Sequence, residues 1–157
     1  MEFGWINLFG GIMIVLILIP NIVYALKKRS HDGRKSIPKA LNVCEQIGRY
    51  ACMILMWLPL LVWKFGFGSL AEFVLYLLLN GVLLLAYYLG WLRYIKKPGL
   101  KIAMALAVIP TLVFLTSGLL LRHWLLVAAA ILFGISHGRI TYITHREKTN
   151  ETGDIYG

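Results

Sequence analysis

Glu45 and Arg49 stand one helical turn apart in the stretch "CEQIGRY", near the start of a long apolar run. An acid and a base at i and i+4 share a helix face and pair there. A charge at the middle of a bilayer costs roughly 3 kcal/mol or more, so ionisable groups at that depth are paired or face water. Paired, the two can enter the membrane edge at reduced cost. Turned towards an inward-open cavity, Arg49 would attract an anionic or polar ligand. His137 could accept a proton or bind a ligand near neutral pH, and Asn21, Asn80 and Tyr87 offer hydrogen bonds. Arg49, Glu45, Asn21, Asn80, Tyr87 and His137 therefore form the candidate ligand-binding set. Each also has a plainer role open to it: interfacial snorkelling for the ion pair, hydrogen-bonded packing for His137, interhelical bonding for Asn80.

No catalytic residue is assigned. A membrane-embedded enzyme acting on lipid would need a reactive group with a partner. His123 and His137 are the candidate bases, Glu45 and Glu72 fall at opposite membrane edges, and neither H-E-x-x-H nor G-x-S-x-G occurs. Cys44 and Cys52 lie roughly 12 Å apart along one helix, too far to bridge, and there is no C-x-x-C. No metal and no cofactor is expected.

The elements that must position these groups are membrane helices. Of 157 residues, 59% are hydrophobic and 15% charged, too little polar surface for a soluble domain of this length. A hydrocarbon core about 30 Å thick takes roughly 20 helical residues. Five runs qualify, at about 5–26, 43–63, 70–92, 102–121 and 124–143. The last two are separated only by "RHW", which demands a tight turn at Arg122 and His123. No Lys or Arg precedes the first run, so it reads as a retained helix and not a signal peptide. The expected organisation is one five-helix transmembrane domain over 1–145, followed by a polar, frayed tail over 146–157.

Charge sets the expected direction. Lys27, Lys28, Arg29, Arg34, Lys35, Lys39, Arg49, Arg93, Lys96, Lys97, Lys101, Arg139, Arg146 and Lys148 fall on one side; Lys64 and Arg122 fall on the other. Basic residues collect on the cytoplasmic side, which places the N-terminus outside and the C-terminus in the cytoplasm of a bacterial-type plasma (inner) membrane. A net charge of +9 would point to nucleic acid in a soluble protein. Here the cations sit between apolar runs and face headgroups, so no nucleic acid is expected.

Sorting positions at about 100° per residue gives each helix a face. The first span shows Asn7, Gly10, Ile14, Ile17 and Asn21; the second Glu45, Arg49, Cys52, Met56 and Pro59. The third shows Phe73, Tyr76, Asn80, Tyr87 and Trp91; the fifth Ala130, Gly134, His137, Gly138 and Thr141. Small residues four apart admit a neighbouring helix. Pro20, Pro59 and Pro110 lie inside spans, where each frees backbone carbonyls.

"LIPNIVYALKKRS" resembles the proline–glutamine loop of small sugar transporters, which implies a transport role. Asn21 stands where that family has glutamine, and five spans do not divide into its three-helix units. The five-span size resembles the translocator or tryptophan-rich sensory proteins, with "WLP" at Trp57 the one shared motif. No family is assigned from these. The functional expectation is binding or transport of a polar or anionic small molecule, or a lipid headgroup, through a cytoplasm-side cleft. The small size and basic loops also suit a non-catalytic partner or regulatory subunit of a larger complex. Expected partners are membrane lipids, a small-molecule ligand, and a membrane protein or second copy of the chain.

Overall fold

The computed structural model of the chain describes residues 6–27, 37–58, 60 and 66–154. They form five helices: α1 (Leu8–Lys27), α2 (Lys39–Trp57), α3 (Leu70–Lys96), α4 (Leu100–Leu120) and α5 (Trp124–Asp154), with no strand among the described residues. Four of these, α1, α3, α4 and α5, are long and apolar enough to cross a bilayer. The chain is thus an all-α, multi-pass membrane protein. The first loop over 28–36, Pro59, Lys64 and the terminal tryptophan Trp5 lie outside the described residues.

The second expected span, 43–63, differs most. Helix α2 starts at Lys39 and ends at Trp57, and Leu58 is extended. A residue preceding proline is pushed out of the helical region by the ring of its neighbour, so Pro59 follows the helix and does not sit inside it. Pro20 and Pro110 do lie within helices. Helix α5 also outruns expectation. It continues to Asp154, where a frayed tail was expected from 146; no proline interrupts it, and Gly153 comes only at its end.

The helices pack in the order α1, α2, α5, α4, α3, and α3 returns to α1. Contacts set the directions: Asn7 meets Trp57 and Glu45 meets His137, so α2 runs antiparallel to α1 and α5, whereas Asn21 meets Tyr87 and Tyr94 meets His145, so α3 runs parallel to α1 and α5. One end of the bundle therefore gathers the C-terminal parts of α1, α3 and α5 with the starts of α2 and α4. We call it the basic end, because Lys39, Arg93, Lys96, Lys97, Lys101 and Arg146 sit there. The expected faces are largely the buried ones. Helix α3 buries Tyr76, Asn80, Leu84, Tyr87 and Trp91, and α2 buries Glu45, Gly48, Cys52, Leu55 and Met56.

At the other end, α4 turns into α5 within three residues. The His123 N–H bonds the Gly118 carbonyl at 2.8 Å and the Arg122 N–H bonds that of Leu119 at 3.1 Å. This is a Schellman closure, with Arg122 in the left-handed position at φ 56° where glycine is usual. Arg122 also pairs with Glu72 at 2.9 Å. Glu72 lies three residues after Ser69, whose hydroxyl caps α3 by accepting the Glu72 N–H at 3.1 Å. The required turn at Arg122 and His123 is therefore present, tied to the start of α3.

Two predictions follow from close packing and from this turn. A Cβ at Gly48 would stand 2.8 Å from the Phe133 backbone nitrogen, whereas one at Gly138 would meet nothing within 4 Å. Gly48→Ala must push α2 from α5, at roughly 1–3 kcal/mol. A detergent melt should show Gly48→Ala lowered by several degrees and Gly138→Ala unchanged or raised.

The second concerns His123, whose Nδ1 accepts the Leu126 N–H at 3.2 Å and caps α5. Burial holds this imidazole below its ordinary pKa, so the fold favours the neutral ring. Its stabilisation is complete above the unfolded value near about 6.5 and is lost as pH falls through the depressed folded value. Wild type should lose more melting temperature between pH 7.5 and pH 5 than His123→Asn, which keeps a capping oxygen that does not titrate. Equal losses would disconnect the cap from pH.

Candidate functional site

The ionisable cluster is built where α2 crosses α5. Gly48 lets the Phe133 backbone come close, and one turn along each helix Glu45 and His137 then face each other. One carboxylate oxygen, Glu45 Oε1, takes all the bonds. Arg49 donates to it from Nε at 3.0 Å and from Nη2, and His137 Nδ1 lies 3.1 Å away. The Glu45 side chain is 3% exposed, that of His137 29% and that of Arg49 41%. The acid is therefore sealed between the helices while its guanidinium partner remains open on one side. The His137 ring stacks on Phe133, with centroids 4.9 Å apart and planes at 20°. Thr141 returns its hydroxyl to the His137 carbonyl at 2.8 Å, which keeps that hydroxyl from needing another partner.

The remaining candidates sit elsewhere. Asn21 donates to the Tyr87 hydroxyl at 2.8 Å and to the Ile17 carbonyl at 3.1 Å, joining α1 to α3. Asn80 is fully buried; its amide donates to the Tyr76 carbonyl at 2.9 Å and its oxygen accepts from the Ser117 hydroxyl at 3.4 Å. That contact joins α3 to α4. The six residues thus form three separate interhelical contacts, and no hydrogen bond among the described residues links one to another. Glu45, Arg49 and His137 alone come together as a charged cluster.

Three further polar positions lie outside the candidate set, and of these only Asn7 belongs to an expected helix face. Asn7 bonds both ends of a junction: its amide donates to the Met56 carbonyl at 3.2 Å, its N–H to the Trp57 carbonyl at 2.9 Å, and its side-chain oxygen accepts the Gly10 N–H at 3.1 Å. It caps the start of α1 and the end of α2 at once. Tyr88 donates to the Leu16 carbonyl at 2.8 Å. That carbonyl lies four residues before Pro20, so it is the acceptor the proline leaves without an N–H; the spacing alone could have flagged it. Tyr94 meets His145 at 3.1 Å beside the ring contacts of Tyr24, Trp91 and Tyr94.

A groove of about 410 Å³ between α2 and α5 is lined by Ala51, Ile54, Leu55, Leu125, Ala128, Ala129 and Leu132. Its walls are hydrocarbon and suit lipid chains, not an anion. No group of three or more His, Cys, Asp or Glu among the described residues could hold a metal, and Cys44 and Cys52 are free thiols.

Comparison with protein-family models, with curated proteins and with solved structures finds no match. The site is thus read from its own chemistry.

Removing the shared acceptor tests the cluster. Glu45→Ala strands the partly exposed Arg49 and the His137 ring, whereas Glu45→Gln keeps a neutral oxygen for them. Detergent melts should order wild type above Glu45→Gln and Glu45→Ala lowest. In a double-mutant cycle, Glu45→Ala and His137→Ala should couple by about 0.5–3 kcal/mol. Strict additivity would mean that the contact does not bind α2 to α5.

Proposed function

We propose that the protein binds, and carries across the membrane, a polar or anionic small molecule or a lipid headgroup, with Arg49 as the contact group. In this reading α2 is the fifth span despite Lys39, Glu45 and Arg49, because its charges pair or lie at its basic-end start. The basic end faces the cytoplasm and the N-terminus lies outside, in a bacterial-type plasma membrane.

The supporting observation is the asymmetry of the ion pair. Glu45 is 3% exposed beneath a guanidinium that is 41% exposed. A carboxylate sealed against α5 fixes the guanidinium without covering it. Arginine keeps five donors in a planar fork, and Glu45 engages Nε and Nη2, which leaves Nη1 for an anionic oxygen. The cations of the basic end would raise the local concentration of an anion before it reaches the membrane. Asn21 with Tyr87, and Asn80 with Ser117, serve this site by holding α1, α3 and α4 in place around the α2–α5 contact.

Thermal shift in neutral detergent tests the proposal, with sulfate, short carboxylates and phosphatidylglycerol as probes. At least one should raise the melting temperature of wild type, raise that of Arg49→Lys less, and leave Arg49→Gln unmoved. A panel in which no anion stabilises wild type more than Arg49→Gln removes Arg49 as the contact group.

A further inference from the structure

We propose that the Glu45–Arg49–His137 cluster takes up a proton with its anion, and that the proton resides on His137. This rests on the reading of Arg49 as the anion contact and adds what regulates it.

Charge counting leads there first. Glu45 and Arg49 cancel, so with a neutral imidazole the cluster carries no net charge. An anion brought to a net-neutral cluster at membrane depth gives up its hydration for little in return. With His137 protonated the cluster carries one positive charge, and a bound anion is compensated.

The hydrogen bonds specify where the proton goes. Glu45 Oε1 already accepts from two arginine nitrogens, and an ionised carboxylate only accepts. The 3.1 Å contact with His137 Nδ1 is therefore donated by an Nδ1–H. That leaves Nε2 as the basic nitrogen. A proton from water joins the Nε2 lone pair and gives imidazolium; no other bond changes. The ring is 29% exposed, so it is not sealed between the helices, and its stacking on Phe133 at 4.9 Å places the cation against an aromatic face that favours it.

Among the described residues, no titratable side chain other than Arg49 and His137 bonds Glu45. Helix α1 carries no Asp, Glu, His, Lys or Arg between Leu8 and Leu26, α3 none between Phe73 and Leu92, and α4 none between Ile102 and Leu121. The groups that α3 presents are the neutral Asn80, Tyr87 and Tyr88, and α4 presents Thr111 and Ser117. Helix α2 adds Lys39 at its start and Cys44, Tyr50 and Cys52 to the ion pair. On α5, Arg139 is exposed on the opposite face, and His145 is engaged with Tyr94. His137 is the titratable partner that Glu45 holds.

The purified protein tests this with two probes of the shared oxyanion chemistry, sodium sulfate for a free anion and nanodiscs with phosphatidylglycerol in phosphatidylcholine for a headgroup. Binding is followed from about pH 5.5 to 8.5, the window in which imidazole changes charge, with a pH-indicator dye in weak buffer. Wild type should take up close to one proton per bound anion, and affinity should weaken about tenfold per pH unit across the upper part of the window, as linkage requires. His137→Gln should bind weakly with no pH slope and no proton uptake. Glu45→Gln should show the reverse: with Arg49 uncompensated, it should bind at pH 8.5, where wild type does not. A role in packing alone gives no such gain.

A flat profile in wild type, or a slope that survives in His137→Gln, overturns the coupling and leaves Arg49 as the contact. Absence of binding to folded wild type across the whole window, by either probe, removes the contact and the coupling together. A response to phosphatidylglycerol and not to sulfate identifies the headgroup as the source of the anion.

Discussion

Hydrocarbon accepts no hydrogen bonds, and that constraint shapes the whole molecule. Any polar group carried into the bundle must find its partner on the same helix or a neighbouring one. Glu45 is the most demanding such group, a carboxylate held almost out of contact with solvent. Its Oε1 collects Arg49 from its own helix and His137 from α5. The result anchors α2, the one of the five helices that is not long and apolar enough by itself to qualify as a span, against the most extended helix of the bundle. Gly48 is part of the same device: without its missing side chain the backbones could not come close enough for Glu45 to reach across.

The same rule explains smaller features. Hydroxyls on α4 and α5 turn back to carbonyls of their own turn: Thr111 to Ala107, Thr116 to Leu112, Ser136 to Leu132 and Thr141 to His137. Pro20 frees the Leu16 carbonyl, and Tyr88 from α3 answers it. Asn7 closes the exposed end of α2 and opens α1. Helix α1 touches few neighbours, so these bonds, with Asn21 to Tyr87, give its position specificity that apolar packing in lipid does not. The rule is strained at the Tyr76 hydroxyl, Trp91 Nε1 and His123 Nε2, which are buried without a hydrogen bond of good geometry.

Stability and the proposed function draw on one set of atoms. The bond from His137 to Glu45 that fastens α5 to α2 also selects the imidazole tautomer. The bonds from Arg49 to Glu45 that make a charge tolerable at depth also aim its remaining donor outward. In the proposed function, a cluster that balances its charge internally is stable when empty, and a proton tips that balance towards an anion. The groove between α2 and α5, by contrast, is lined by apolar side chains alone.

Composition and run length decided that this chain spans a membrane, because about 20 consecutive apolar residues have no other stable environment in number. The turn at Arg122 and His123 was forced for the same reason, since α4 and α5 joined would be far too long to span. Helical phase decided the buried faces, as Tyr76, Asn80, Tyr87 and Trp91 on α3 and Glu45, Cys52 and Met56 on α2 attest. Phase is a property of one helix, however, and says nothing of which helix lies opposite. Only the tertiary structure placed His137 beside Glu45, 92 residues away in the chain, and sent Asn21 to Tyr87 and Asn80 to Ser117 instead of into a common cleft. Those pairings depend on how five helices close around one another, which is set by small-residue contacts such as Gly48 on Phe133 and by the end of α2 at Leu58, two features whose consequence appears only when the helices are packed.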